Sequence, residues 1–186
     1  MSANFSDDNP ELEALAAELR QRIARELRWE AEDVESETLK QVLRERTLSD
    51  VARESMARGD VIAASTPTLT VVGTISHARG DLAIVATGHA LVSVNLAGPV
   101  TLRCVETASS GGTSSSGGSG SFKARLAEFE MTGELVGLVV ATLPDMLVGR
   151  ITVTAADHIV VRGAGSTEWF VRFADIAMVL QALSRR

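Results

Sequence analysis

The chain has 186 residues, 45% of them hydrophobic and only 4% aromatic, with a net charge of −6. That length suits one or two small domains, and the core must be mostly Val, Leu, Ile and Ala. The acidic balance disfavours nonspecific attraction to phosphate backbones and anionic membranes, and a single cysteine, Cys104, excludes an internal disulfide or an all-Cys zinc site.

The N-terminus, "MSANFSDDNPELE", is polar and acidic, without the basic and apolar regions of a signal peptide. Residues 1–59 carry helical punctuation. Asn9 and Pro10 open a helix whose apolar stripe runs Leu12, Leu15, Ala16, Leu19, Ile23 and Leu27. That stripe can cover a barrel opening or pair with another copy, and packing within the chain is the expectation. A second helical segment starts near Ser36 and turns Leu39, Val42 and Leu43 inward. "TLSD", from Thr47 to Asp50, then reads as a capping box. Leu48, Val51, Ala52 and Met56 continue the stripe until Gly59 stops it.

From Asp60 the period changes to two, and Val, Ile and Thr take over. Strands are expected near 61–65, 69–77, 82–87, 90–95 and 99–105. The tetrapeptide "ARGD" occurs at 57–60 and again at 78–81. Both copies read as structural, first a helix stop and then a hairpin turn with solvated flanks, rather than as an adhesion ligand. Residues 109–121 contain only Gly, Ser and Thr. They are expected to be flexible coil, with an end-to-end distance of roughly 20 Å. Their regularity fits a natural linker and a designed loop replacement equally. A short helix follows at 122–133 with Phe122, Leu126 and Phe129 inward. Further strands are expected near 134–142, 146–154, 158–163 and 168–173. Residues 174–186 start as a strand or turn, with a helical end expected. The longest apolar run, "LVGLVVATL", is too short to span a bilayer. A soluble cytoplasmic protein is the default.

"VGTISHARGDLAIVATG" (72–88) aligns on "VGRITVTAADHIVVRGA" (148–164). Val72, Gly73, Ile75, Asp81 and Val85 match Val148, Gly149, Ile151, Asp157 and Val161. The second copy then gains two residues, and 90–102 parallels 168–180 in pattern. A repeat of this size marks a supersecondary unit used twice, and Gly73 and Gly149 mark a bend inside a strand.

Each unit resembles a small five-stranded bent barrel of the Sm-like or SH3-like kind, over roughly 60–106 and 134–182. The bent glycine followed by an aspartate is similar to Sm-like RNA binders. Their aspartate stands nearer the glycine, and the Asn of their base pocket has no counterpart here. The resemblance therefore implies a fold and not an RNA site. The expected class is α+β, mainly β. A helical region (1–59) precedes a first barrel (60–106), a Gly/Ser linker (107–121) and a short helix with a second barrel (122–186).

No nucleophile elbow, phosphate loop, dinucleotide fingerprint or metalloprotease motif is present. "GAGSTEW" (163–169) reads as a hairpin turn. His77, His89 and Cys104 meet as metal ligands only by folding accident, and Asp157 and His158, as strand neighbours, should point apart. No catalytic residue, metal or cofactor is expected. Residues 60–106 hold two arginines, Arg79 and Arg103, against three acids, which is poor equipment for a polyanion. The second barrel spreads Arg150, Arg162 and Arg172 over successive strands beside Trp169 and Phe170, a candidate binding surface. Solvent-facing arginines over a buried aromatic are the favoured alternative. Neutral, aliphatic strands with open edges suit pairing with another chain. The expected function is therefore a non-catalytic binding or assembly module, with a protein partner or self-association. The alternative is a regulator that binds RNA or single strands through the second barrel.

Overall fold

The computed structural model describes residues 43–109, 111–114 and 117–182, with Glu18, Gln21, Arg22, Arg25, Lys40 and Gln41 before them. The chain divides into two units, residues 1–46 and 47–186, and the fold that follows is the second. The Leu12–Leu27 stripe lies outside the described residues. Leu43, expected inward, is 58% exposed.

Helix α1, Leu48–Arg58, starts where the sequence places its cap. Asp50 N–H donates to Thr47 Oγ1 (3.2 Å), and Thr47 N–H donates to Asp50 Oδ2 (2.9 Å). The Thr47 hydroxyl also donates to Asp50 Oδ2 (2.6 Å), and this bond, followed by the one from Thr47 N–H, holds the Asp50 carboxyl down at about 2. Gly59 ends the helix at φ +82, left-handed backbone that costs glycine little. Asp60 is fully buried, accepting from Arg58 Nε (2.8 Å) and Ala108 N–H (3.0 Å). The Arg58 bond holds its carboxyl below the usual range.

Strands β1 (Val61–Ser65), β2 (Thr70–Arg79), β3 (Leu82–Ala86), β4 (Ala90–Asn95) and β5 (Thr101–Glu106) follow. Helix α2 (Phe122–Thr132) is capped by Ser121 and stopped by Gly133. Strands β6 (Leu135–Val140), β7 (Leu147–Thr154), β8 (His158–Arg162), β9 (Glu168–Arg172) and β10 (Ile176–Ala182) complete the chain. The expected helical end is corrected through Ala182, because the β-branched and apolar residues of 176–180 find strand partners on both sides. "GAGSTEW" forms a tight turn, with a single 3-10 turn at Ala164–Ser166.

All ten strands form one open antiparallel sheet in the order β5-β1-β2-β3-β4-β10-β6-β7-β8-β9. The class is α+β and mainly β, as expected, but the strands run as one continuous sheet. The two halves repeat a single order, with β10 standing to β6 as β5 stands to β1. Each half also carries a bulge in its long bent strand, between Ile75 and His77 and between Ile151 and Val153. The two bulges fall at equivalent places in the repeat, three residues past Gly73 and Gly149 rather than at the glycines.

Two apolar clusters hold the sheet. One packs Ala52 and Met56 of α1 on Ile62, Ile75, Val85, Val92, Val94 and Met178. The other packs Phe122, Leu126 and Phe129 of α2 on Ile151, Ile159, Val161, Val179 and Leu82. Met178 and Val179 are neighbours on β10 yet serve opposite clusters, as adjacent strand residues must. Strands β6 and β10 are therefore buried on both faces, which explains why "LVGLVV" is continuously apolar rather than alternating.

The halves join where β4 meets β10, with Val94, Ser93 and Val92 opposite Met178, Val179 and Leu180. Three polar side chains, Asp81, Asn95 and Arg125, reinforce this junction. Asp81 Oδ1 accepts from Phe122 N–H (2.8 Å), so the aspartate of the second "ARGD" caps α2, while Arg79 and Gly80 stay exposed in the turn as expected. Asn95 Nδ2 donates to the carbonyls of Phe173 (3.2 Å) and Ile176 (2.9 Å). Arg125 reaches Ser93 Oγ (3.4 Å) and Gln181 Oε1 (3.0 Å) from α2. The Gly/Ser segment is also tied down in places. Thr113 N–H donates to Met56 O (3.1 Å), and Ser119 is buried with its carbonyl 2.9 Å from His77 Nε2.

Candidate protein-contact edges

A sheet of ten strands has two edges, and here they are β5 and β9. Among the described residues, each presents one row of backbone N–H and C=O groups without a strand partner, which is the template that another strand reads. Along β5 every residue is exposed except the half-buried Leu102. Val105 is 49% exposed. Along β9, Phe170 is 70% exposed and Trp169 39%, while Val171 between the edge residues is buried in the second cluster. The edge strand thus carries a large, partly exposed aromatic on each of its two faces.

The five residues singled out from the sequence fall on three neighbouring strands, Arg150 on β7, Arg162 on β8, and Trp169, Phe170 and Arg172 on β9. They do not share one face. Arg150 stands opposite Arg162, which stands opposite Glu168, so these three form a row across the sheet. Phe170 and Arg172 lie on that same outward face, two and four residues along from Glu168. Trp169 stands opposite the buried Val161 and therefore belongs to the core face, half covered because its strand is the last one. The expectation of arginines over a buried aromatic thus fits Trp169 in part and Phe170 not at all.

The guanidinium groups have local partners. Arg150 donates to the carbonyl of Gly133. Arg162 Nη2 lies 3.1 Å from Glu168 Oε1. Arg172 makes a forked contact with Asp175, at 3.0 and 3.3 Å, which raises the arginine above its ordinary range. Outward Leu135 and Val148, 59% and 48% exposed, border an open groove of about 490 Å³ together with Arg150, Thr152 and Arg162. The surface therefore offers more apolar area than free positive charge.

The histidines do not gather. His77 is buried against Ser119, and His158 Nδ1 sits 2.7 Å from Asp157 Oδ1, with its ring 6.0 Å from that of Phe170. The Asp157–His158 contact corrects the expectation that the two point apart. Strand β8 begins at His158, so Asp157 is still in the turn and is free of the alternation rule. That hydrogen bond holds the Asp157 carboxyl below its usual range. Cys104 is exposed on β5, with its sulfur 3.6 Å from Thr107 Oγ1. Among the described residues no group of three or more His, Cys, Asp or Glu side chains could hold a metal ion. No helix among them is long and apolar enough to cross a membrane.

Sequence reasoning missed that the repeat includes the helix. Val61, Ile62 and Ala63 pair with Thr74, Gly73 and Val72 as Leu135, Val136 and Gly137 pair with Arg150, Gly149 and Val148. Counting back from Val61 and Leu135 by the same steps puts Gly59 on Gly133, and Thr47 on Ser121. The signal was present as a hydroxyl cap, eleven helical residues and a glycine stop in front of each first strand. No protein-family model matches the chain, and no curated protein is significantly similar to it.

Proposed function

We propose that this chain is a non-catalytic assembly module, cytoplasmic, that meets protein partners through the free edges of its sheet. Each half is read as a small bent unit of the Sm-like or SH3-like kind, preceded by its own helix. The observation that carries this reading is the pair of edges that no strand among the described residues covers, with Phe170 70% exposed on one and Val105 49% exposed on the other. Strand addition at such an edge takes its affinity from main-chain hydrogen bonds and its specificity from alternate side chains.

RNA or single-strand binding at the second half is the runner-up. The exposed Phe170 and the groove beside Arg150 and Arg162 favour it. The local partners of all three arginines and the acidic chain weigh against it.

Cross-linking in cells separates the two. Protein adducts on β5 and β9 are expected, and Val105→Lys with Phe170→Lys should remove them. Retention on immobilised single-stranded RNA should be weak at low and moderate salt. Strong, salt-sensitive retention that disappears when Arg150, Arg162 and Arg172 become Ala would reverse the ranking. Adducts that ignore the two lysines would remove the edges from the reading.

A further inference from the structure

We propose that the two edges are made for each other: β9 of one copy pairs antiparallel with β5 of the next, repeating the junction that β4 and β10 make inside the chain. The inference rests on the assembly reading and names its partner as a second copy of this chain.

The repeat supplies the correspondence. Leu82 pairs with Asn95 as His158 pairs with Arg172, so Val94, Ser93, Val92 and Leu91 correspond to Val171, Phe170, Trp169 and Glu168. Ala63 pairs with Arg103 as Gly137 pairs with Leu180, so Met178, Val179, Leu180 and Gln181 correspond to Thr101, Leu102, Arg103 and Cys104. Strand β9 is thus a second β4, and β5 is a second β10. Among the described residues, each is without the neighbour that its counterpart has.

Exposure follows that pattern. Val92 and Ser93 are each 1% exposed under β10, whereas Trp169 and Phe170 in the same positions are 39% and 70% exposed. Phe122 is 1% exposed at the start of α2, whereas Leu48 in its place on α1 is 38% exposed. Asp81 caps the following helix, whereas the side chain of its counterpart Asp157 is 78% exposed. Every one of these differences is what the loss of the next unit would leave behind. An unrelated strand would account for the edges but not for Leu48 and Asp157, which lie off them.

The internal register, carried across, sets Thr101 opposite Val171, Leu102 opposite Phe170, Arg103 opposite Trp169 and Cys104 opposite Glu168. Leu102 would shield the Phe170 ring, and Arg103 would lie against Trp169, the better aromatic partner for a cation. Asp157 would meet the first turn of the next copy's α1, where a carboxylate is favoured. Such a head-to-tail contact closes into a ring or runs on as a filament, according to the rotation per step.

The lone thiol makes the register testable in the full-length chain. Glu168→Cys places a second cysteine opposite Cys104 of the next copy, within the separation a disulfide spans. Under a mild copper–phenanthroline oxidant, the variant should give a ladder of disulfide-linked dimers, trimers and larger species. Asp145→Cys, which also carries two thiols but in a distant exposed turn, should give no more than sparse dimers. Adding Phe170→Lys to Glu168→Cys should abolish the ladder. Equal products from Glu168→Cys and Asp145→Cys, with light scattering reporting monomer at every concentration, would overturn the inference. If cellular adducts on the edges persisted in that case and contained a different protein, the assembly reading would stand while this partner fell.

Discussion

Phe122→Ala is expected to lower the unfolding free energy by about 3–5 kcal/mol, the usual range for a buried phenylalanine truncated in place. The side chain is 1% exposed and sits in the same cluster as Leu126, Phe129, Ile151 and, from the first half, Leu82. Its backbone N–H is the group that Asp81 caps, and that bond survives the substitution. The loss is therefore one of packing at the junction, and it should be felt by both halves together. Urea titration followed by tryptophan fluorescence and by far-ultraviolet circular dichroism should give one shifted midpoint with an unchanged slope. Two separated transitions in the variant would contradict this, because the halves would then unfold independently. A loss below about 1 kcal/mol would contradict its placement.

Gly73→Ala and Gly149→Ala are expected to destabilise at the upper end of the overpacking range, about 3 kcal/mol each. A Cβ on Gly73 would stand 2.2 Å from the carbonyl oxygen of Ala86, and one on Gly149 2.6 Å from that of Arg162. The obstructing atoms are backbone of the paired strand, so relief requires the β2–β3 or β7–β8 ladder to open. A flexible side chain would simply turn aside, and that route is closed here. Thermal melts of the two variants check this, with comparable losses at the two repeat positions. A variant at either site as stable as the parent would show that the strand does not approach its partner there.

Those glycines also show what the sequence made legible. Their place in the repeat marked two equivalent strands, and close backbone approach is the physical reason glycine stands at both. Strand and helix limits were readable for the same kind of reason. Thr47 and Gly59 are local signals acting within a few residues, and alternation in "TVVGTISHAR" follows directly from one buried face. The continuous sheet was not legible. It depends on β4 and β10, whose paired residues stand 84 to 92 positions apart, and nothing local marks Ala90–Asn95 as a strand that will accept a distant partner. Nor did composition disclose that Asp60 would be buried or that Ser119 would be covered, because both depend on what the Gly/Ser segment touches. Of the candidate surface, the strands were placed correctly. The faces were not separated, since Trp169 and Phe170 are adjacent and their sides are fixed only by which neighbour each faces across β8.

The central claim is that β5 and β9 are contact edges for protein, and amide hydrogen exchange read residue by residue at low and high protein concentration tests it most directly. Protection of Thr101–Glu106 and Glu168–Arg172 should rise with concentration, while β4 and β10, already paired within the chain, should stay constant. Exchange on both edges that remained fast at every concentration, with and without cell extract, would contradict it.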